Sequence, residues 1–377
     1  MGESDVTLCF CGDVMLGRGV DQILPHPGDA ELRESHVRDA RAYVEMVEKV
    51  NGRVPRPAGF AWPWGEALQV LDATAPDVRV LNLETSVTRH DAFAPGKGVH
   101  YRMNPANLPC LAAAHPDVCV LANNHVLDFG RRGLEETLDA LHTHGFRTAG
   151  AGRNAAEAAR PAVVPLDGGG RVLVFACAMP SSGVPHDWAA TDDRSGLDFV
   201  AEPSDAAASA ITDRIRRERR PGDVVIVSVH WGGNWGYRVS RGEVRFAHAL
   251  TDGGADVVFG HSSHHPRPAE IHRGRTVLYG CGDFVDDYEG ISGHEHYRDD
   301  LRLLWCVTVR PGTAPGVRMV PLQSRRMRLV AASDEDAEWL RGVLDRIGRD
   351  LGSHVDREPD GVLTLRAARG GVRERNS

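Results

Sequence analysis

The chain is predicted to be an α/β protein, and three observations predict it. Short, valine-rich apolar runs alternate with segments of helical periodicity. Six of those runs end in polar clusters, as strands do when they deliver side chains to the carboxyl edge of a parallel sheet. At 377 residues with 42% hydrophobic side chains, the chain is long enough for one large α/β domain or two smaller ones.

Val6–Cys11 alternates enough for a first strand and closes on Gly12-Asp13; Val14-Met15-Leu16-Gly17-Arg18 then turns into a short helix. Residues 25–68 form an insertion rich in proline and charge, with a helix around Val37–Val50. Its aromatic patch, Phe60-Ala61-Trp62-Pro63-Trp64, reads as a wall on the core rather than a substrate platform. Val78–Leu83 is a second strand, ending Asn82-Leu83-Glu84-Thr85, and Val118–Ala122 a third, ending Asn123-Asn124-His125. Leu134, Leu138 and Leu141 share one helical face and predict a helix over Gly133–His144, stopped by Gly145. Arg171–Ala178 is a strand, and Ser204–Arg219 an amphipathic helix capped by Ser204.

Val224–Val229 ends in His230-Trp231-Gly232-Gly233, and Glu243–Leu250 makes the next helix. The run Ala255-Asp256-Val257-Val258-Phe259-Gly260 then delivers His261, His264 and His265 within five positions. Thr276–Tyr279 leads to Gly280-Cys281-Gly282-Asp283. Arg302–Val309 and Val317–Leu322 have no helix between them, which predicts antiparallel edge strands. Residues 1–330 are read as one domain, and 331–377 as a C-terminal helix with a tail that frays from about Ala367.

Composition excludes several classes. The net charge is −8 and the basic residues are not gathered into a block, which argues against nucleic acid. Basic charge is almost wholly arginine, with Lys49 and Lys97 the two lysines. The seven cysteines form no CxxC pair and sit mostly in strand-like runs, as small buried hydrophobes in a reducing cytoplasm would. No run approaches the ~18 apolar residues of a membrane span, so a soluble cytoplasmic protein is expected. A P-loop and a GxSxG elbow are both missing, and Gly150-Ala151-Gly152 reads as a turn rather than half a dinucleotide fingerprint.

The strand ends supply Asp13, Glu84, Asn124, His125, His230, His261, His264, His265 and Asp283. Singly, each has an ordinary reading as a helix cap or a satisfied histidine. Delivered to one edge, they make a site. Carboxylate, amide oxygen and imidazole together suit a borderline divalent ion such as Mn, Zn or Fe, and two such ions would activate a water for hydrolysis. Trp231, Trp235 and Tyr237 follow His230 in a glycine-rich loop and either line a substrate or pack an edge.

Gly12-Asp13-Val14-Met15-Leu16-Gly17-Arg18, Asn82-Leu83-Glu84-Thr85, Ala122-Asn123-Asn124-His125, His230-Trp231-Gly232 and Gly260-His261 with His264 occur in that order. Across residues 6–310 the set resembles the CapA-like (poly-γ-glutamate capsule synthesis) proteins, relatives of calcineurin-like metallophosphatases. The resemblance implies a four-layered α/β/β/α sandwich. It also implies metal positions at Asp13, Glu84 (bridging), Asn124, His230, and His261 or His264, with His125 protonating a leaving group. Two departures stand out: Asp13-Val14-Met15 replaces the usual Asp-x-His, and Ser262 stands where many relatives carry a histidine. The expected cofactor is therefore none, or a single divalent ion at a depleted dimetal site.

The segment Asp283–Ile291 followed by Gly293-His294-Glu295 is similar to a branch of that family that epimerises lasso-type precursor peptides. By that resemblance the expected activity is inversion of a C-terminal residue on a peptide substrate. Such a reaction needs one group to take the Cα proton and another to return it. Asp13 and His294 are the expected proton-transfer pair, with His125 and His230 also catalytic. Asn124, His261, His265 and Trp231 are expected to bind substrate. The alternatives are a metal-dependent hydrolase of phosphoesters or γ-glutamyl amides, and a non-catalytic peptide binder.

Overall fold

The computed structural model describes residues 5–310 and 312–367. Two large sheets face each other. In the larger, Val6–Val14 is central: Val78–Leu83, Val118–Val120 and Arg147–Ala149 follow it in parallel on one side. On its other side lie antiparallel Leu301–Val309, Gly316–Ser324, Leu363–Ala367 and Ser353–Arg357. The smaller sheet has a parallel centre of Arg171–Ala178, Val224–His230, Val257–His261 and Arg275–Leu278. Antiparallel Ala162–Pro165 and Ala269–His272 form its edges.

The valine runs become strands because they are buried on both faces, as central parallel strands are. Every residue of Val224–His230 is buried. Alternation then sorts the side chains. Val174, Ile226, Val257 and Phe259 point to the larger sheet, where Phe10 meets Phe259 with ring centroids 4.9 Å apart. Val225, Val227 and Val258 point the other way, onto Ile211, Ile215, Phe246 and Leu250 of the helices Asp205–Glu218 and Arg241–Asp252. The outer face of the larger sheet is covered by Leu71, Leu111, Leu134, Leu138 and Leu141 from the helices Ala67–Thr74, Leu108–Ala112 and Gly130–Thr143. This is the expected helix–sheet–sheet–helix sandwich.

Several local expectations need correction. The pair Leu301–Val309 and Gly316–Ser324 is antiparallel but not an edge. After the helix Asp334–Gly348, the strands Ser353–Arg357 and Leu363–Ala367 add on outside it. The helix expected around Val37–Val50 runs over Arg41–Asn51, and the one expected from Gly133 starts at Gly130. The aromatic patch divides: Trp64 is fully buried with its Nε1–H on Cys110 O at 2.7 Å. Trp62 is half-buried, and its Nε1–H donates to Arg326 O at 3.1 Å. The expected frayed tail beyond Ala367 lies outside the described residues. All seven cysteines are buried and free. No described helix is long and apolar enough to cross a membrane.

Candidate metal centre

The carboxyl ends of both sheets meet, and each sheet contributes side chains. In the first strand the ladder slips at Gly12, between Cys11 and Asp13, and the slip brings Asp13 level with both Asn82 and Asp283. Only glycine fits at position 12, because a Cβ there would lie 1.8 Å from Gly282 O. In the smaller sheet His230 and His261 are register partners, so their imidazoles leave the same face side by side. Gly260 is equally constrained: a Cβ would meet Leu278 O and Tyr279 O, each at 2.6 Å. Ser262, just beyond His261, has φ of 113°, a strained value for a residue with a side chain, and aims its N–H at Asp13 Oδ2, 3.2 Å away.

Asp13, Glu84, His230 and His261 are all buried, and each offers one ligand atom within 4.8 Å of the others. Asn82 Nδ2 ties the carboxylates together, donating to Asp13 Oδ1 at 2.7 Å and Glu84 Oε2 at 2.6 Å. Asn123 Nδ2 in turn fixes Asn82 Oδ1 at 2.9 Å. The two imidazoles face each other through Nδ1 atoms 2.7 Å apart. Their Nε2 atoms are also engaged: His261 Nε2 meets Ser228 Oγ at 2.6 Å, and His230 Nε2 meets Asn124 Oδ1 at 3.1 Å. Each imidazole also presents one nitrogen to a carboxylate of the group, His230 Nε2 lying 3.7 Å from Glu84 Oε1 and His261 Nδ1 3.7 Å from Asp13 Oδ1, and such side-chain partners orient metal-binding histidines.

This donor set fits a divalent ion. Burial, reinforced by Asp283, raises the Asp13 pKa to about 7. Burial and the neighbouring Asp13 hold Glu84 well above the usual carboxylate range. Among the described residues neither acid has a lysine or arginine within ion-pair distance. Burial also keeps both histidines neutral, driving His261 down to about 3 and His230 well below its ordinary value. Crowded acids beside neutral imidazoles form a site whose charge a divalent cation would balance.

The other expected residues surround this group. His125 follows Asn124 and is held by Asp128, with Nδ1 2.7 Å from Asp128 Oδ2. Lys97 Nζ clamps Asp128 Oδ1 at 2.5 Å and also donates to Asn124 O. Burial, then Lys97, push His125 down to about 4 against the opposing pull of Asp128. His264 stands apart from the four donors, because both ring nitrogens are engaged. Its Nδ1 lies 3.1 Å from each Asp283 oxygen and its Nε2 3.0 Å from Asn234 Nδ2. Burial opposes the charge on each, but the His264–Asp283 attraction prevails, raising His264 and lowering Asp283. Met15, where a histidine was expected by resemblance, is buried and accepts from Tyr288 Oη at 3.5 Å.

Three expected site residues lie elsewhere. Trp231 is fully buried on the helix side of its sheet, stacked on Tyr279 and donating to Tyr279 O at 2.9 Å, so it presents nothing to a substrate. His265 is buried too, with Nδ1 on Pro266 O and Nε2 accepting from Gly236 N–H, each at 3.0 Å, and its ring stacks on Tyr297. His294 stacks on Trp235 at 3.9 Å between centroids. Both line a cavity of about 200 Å³ with His264, Tyr288, Ile291, Ser292 and Asp299. Contact from His294 to Asp13 runs through Trp235, His264 and Asp283.

Sequence reasoning passed over Asn82, Asn123, Asp128, Lys97 and Ser228. Two of them carried a signal. Asn82 precedes Glu84 by two positions at the end of a strand, and so shares its face. Asp128 follows His125 by three.

Residues 7–288 match the family model described as bacterial capsule synthesis protein PGA_cap. The sequence is 52% identical over 368 residues to a probable polyglutamine synthesis accessory protein of Mycobacterium tuberculosis, covering 97% of each chain. It is 24% identical over 279 residues to the PGA biosynthesis protein CapA of Bacillus subtilis, covering 74% of this chain and 62% of that one. Among solved structures, TT1561 of Thermus thermophilus aligns over 80% of this chain and 94% of that chain, with 10% identity and a TM-score of 0.37.

Proposed function

This chain belongs to the bacterial capsule synthesis protein family PGA_cap, and on that premise we propose that it is a metal-dependent hydrolase of amide bonds in a glutamate polymer. The observation that carries the reading is the convergence of Asp13, Glu84, His230 and His261 on one buried point. The relatives' names, a probable polyglutamine synthesis accessory protein and a PGA biosynthesis protein, support a polymer of glutamate-type units as the substrate class. A divalent ion held by those four side chains would polarise a substrate carbonyl and acidify a water.

The remaining steps fall to the protein's own groups. With Nδ1–H given to Asp128, His125 Nε2 is left with a free lone pair, and a pKa pushed down to about 4 keeps it neutral. It takes a proton from the attacking water and returns it to the departing amine nitrogen. Lys97 locks Asp128, and the Tyr101 ring, edge-on to His125 at 4.4 Å between centroids, fixes its plane.

The test is cleavage of γ-linked polyglutamate by chelator-stripped protein resupplied with Mn, Zn or Fe(II), read by the shortening of the polymer. His125→Ala should slow cleavage by roughly 10²–10⁴-fold with metal content unchanged. His261→Ala should lose the metal and the activity together. An intact polymer with every ion would sink the hydrolase reading.

The cavity lined by His264 and His294 supports a second reading, epimerisation of a precursor peptide with His294 moving the Cα proton; Asp13, the expected partner, is buried and does not line it. Its check is deuterium uptake from heavy water at a peptide's C-terminal residue. Full uptake by His294→Ala would remove that residue from the reaction.

A further inference from the structure

On the far edge of the smaller sheet stands a second group of donors that the chemistry above does not use. Glu270 and His272 lie two apart on the edge strand Ala269–His272 and share a face, and His248 and Asp252 lie four apart on the helix Arg241–Asp252 and share another. The two faces meet. His248 Nε2 is 2.7 Å from Glu270 Oε1, His272 Nε2 is 3.3 Å from Asp252 Oδ1, and the two imidazoles stack at 3.6 Å between centroids. One ligand atom from each of His248, Glu270 and His272 lies within 4.8 Å of the others.

We propose that His248, Glu270 and His272, with Asp252 as a fourth donor, form a surface site for a divalent ion of the zinc type. Two imidazoles with one or two carboxylates is a donor set that zinc and its neighbours accept, with tetrahedral geometry preferred. Glu270 is buried and oriented by Tyr279 Oη, which donates to Oε1 at 2.6 Å, the kind of outer contact that fixes a ligating carboxylate. The histidines are reachable from solvent, with 29% and 16% of their side chains exposed, so an ion has a way in. On binding, the stacked rings tilt apart to bring their lone pairs onto the ion. Arg273, which is 74% exposed and 3.0 Å from Asp252 Oδ2, swings off into water. Once occupied, the site staples the edge strand to its helix.

The experiment titrates chelator-stripped protein with Co(II), followed by visible absorption and stoichiometry, and with Zn(II), followed by thermal unfolding. The wild type is compared with His272→Gln, with the double variant His248→Gln/His272→Gln, and with Asp13→Asn in the inner centre. The proposal expects the histidine variants to bind about one equivalent fewer than the wild type and to lose the zinc-induced rise in Tm. Asp13→Asn should keep that equivalent whatever happens at the inner centre. Equal stoichiometry and equal zinc response in the wild type and the histidine variants would overturn it. His272→Gln, on a partly exposed side chain, keeps the test decisive if the double variant fails to fold.

Discussion

At the scale of single residues, the histidines differ by what their nitrogens touch. His265 has both occupied by backbone, and burial, aided by Arg267, pushes its pKa down to about 4. The folded value lies below the unfolded value of about 6.5. Keeping this ring neutral therefore contributes stability that is fully present above about pH 6.5 and is lost as pH falls towards 4. Urea unfolding measured from pH 7 to 4 should show that loss, on the order of 3 kcal/mol for such a histidine. His265→Gln should flatten the slope, and an unchanged slope would mean that His265 is not a source of it. This distinction was not legible in the sequence. His261, His264 and His265 crowd one short stretch, yet one faces the acids, one is paired with Asp283 and one is closed off by Pro266. Trp231 was more legible than its reading allowed, because in a strand the neighbour of an inward His230 points to the opposite face.

At the scale of elements, the apolar runs located the strands and the leucine spacing located the helix behind the third one. The slip at Gly12 could not be read, because it depends on Gly282, which is distant in sequence and adjacent in space. Gly12→Ala should be severe. Its Cβ would collide with a backbone carbonyl that cannot rotate away, so a loss of at least about 3 kcal/mol is expected. Metal affinity should fall with it, because the same slip sets Asp13 level with Asn82. Chemical unfolding and metal titration of one preparation check both, and near-wild-type values would show that the ladder can give. The C-terminal strands were missed for different reasons. Ser353–Arg357 has a single apolar residue, Val355, and hid among polar neighbours, whereas Leu363-Thr364-Leu365 alternates plainly enough to have been found.

At the scale of the whole molecule, the class and the convergence of strand ends were legible, because buried parallel strands leave an unbroken apolar signature. That the ends belong to two sheets followed from the family resemblance alone, since nothing local to a strand says which neighbours it takes. The C-terminal hairpin is integral to the larger sheet, and Leu363 is fully buried beside Met319. Leu363→Ala should cost about 2–5 kcal/mol and lower Tm, while leaving inner-centre metal stoichiometry intact at low temperature. A neutral result by calorimetry would show that the hairpin is dispensable. The position of the first strand has a consequence for how the protein comes into being. Its antiparallel neighbour is reached only 297 positions later, where Cys306 sits beside Cys9. During synthesis this early, apolar strand must wait with one hydrogen-bonding edge open until almost the whole sandwich has emerged from the ribosome. A nascent chain halted before residue 301 is therefore the form most prone to stick to other chains, and the one most dependent on a chaperone.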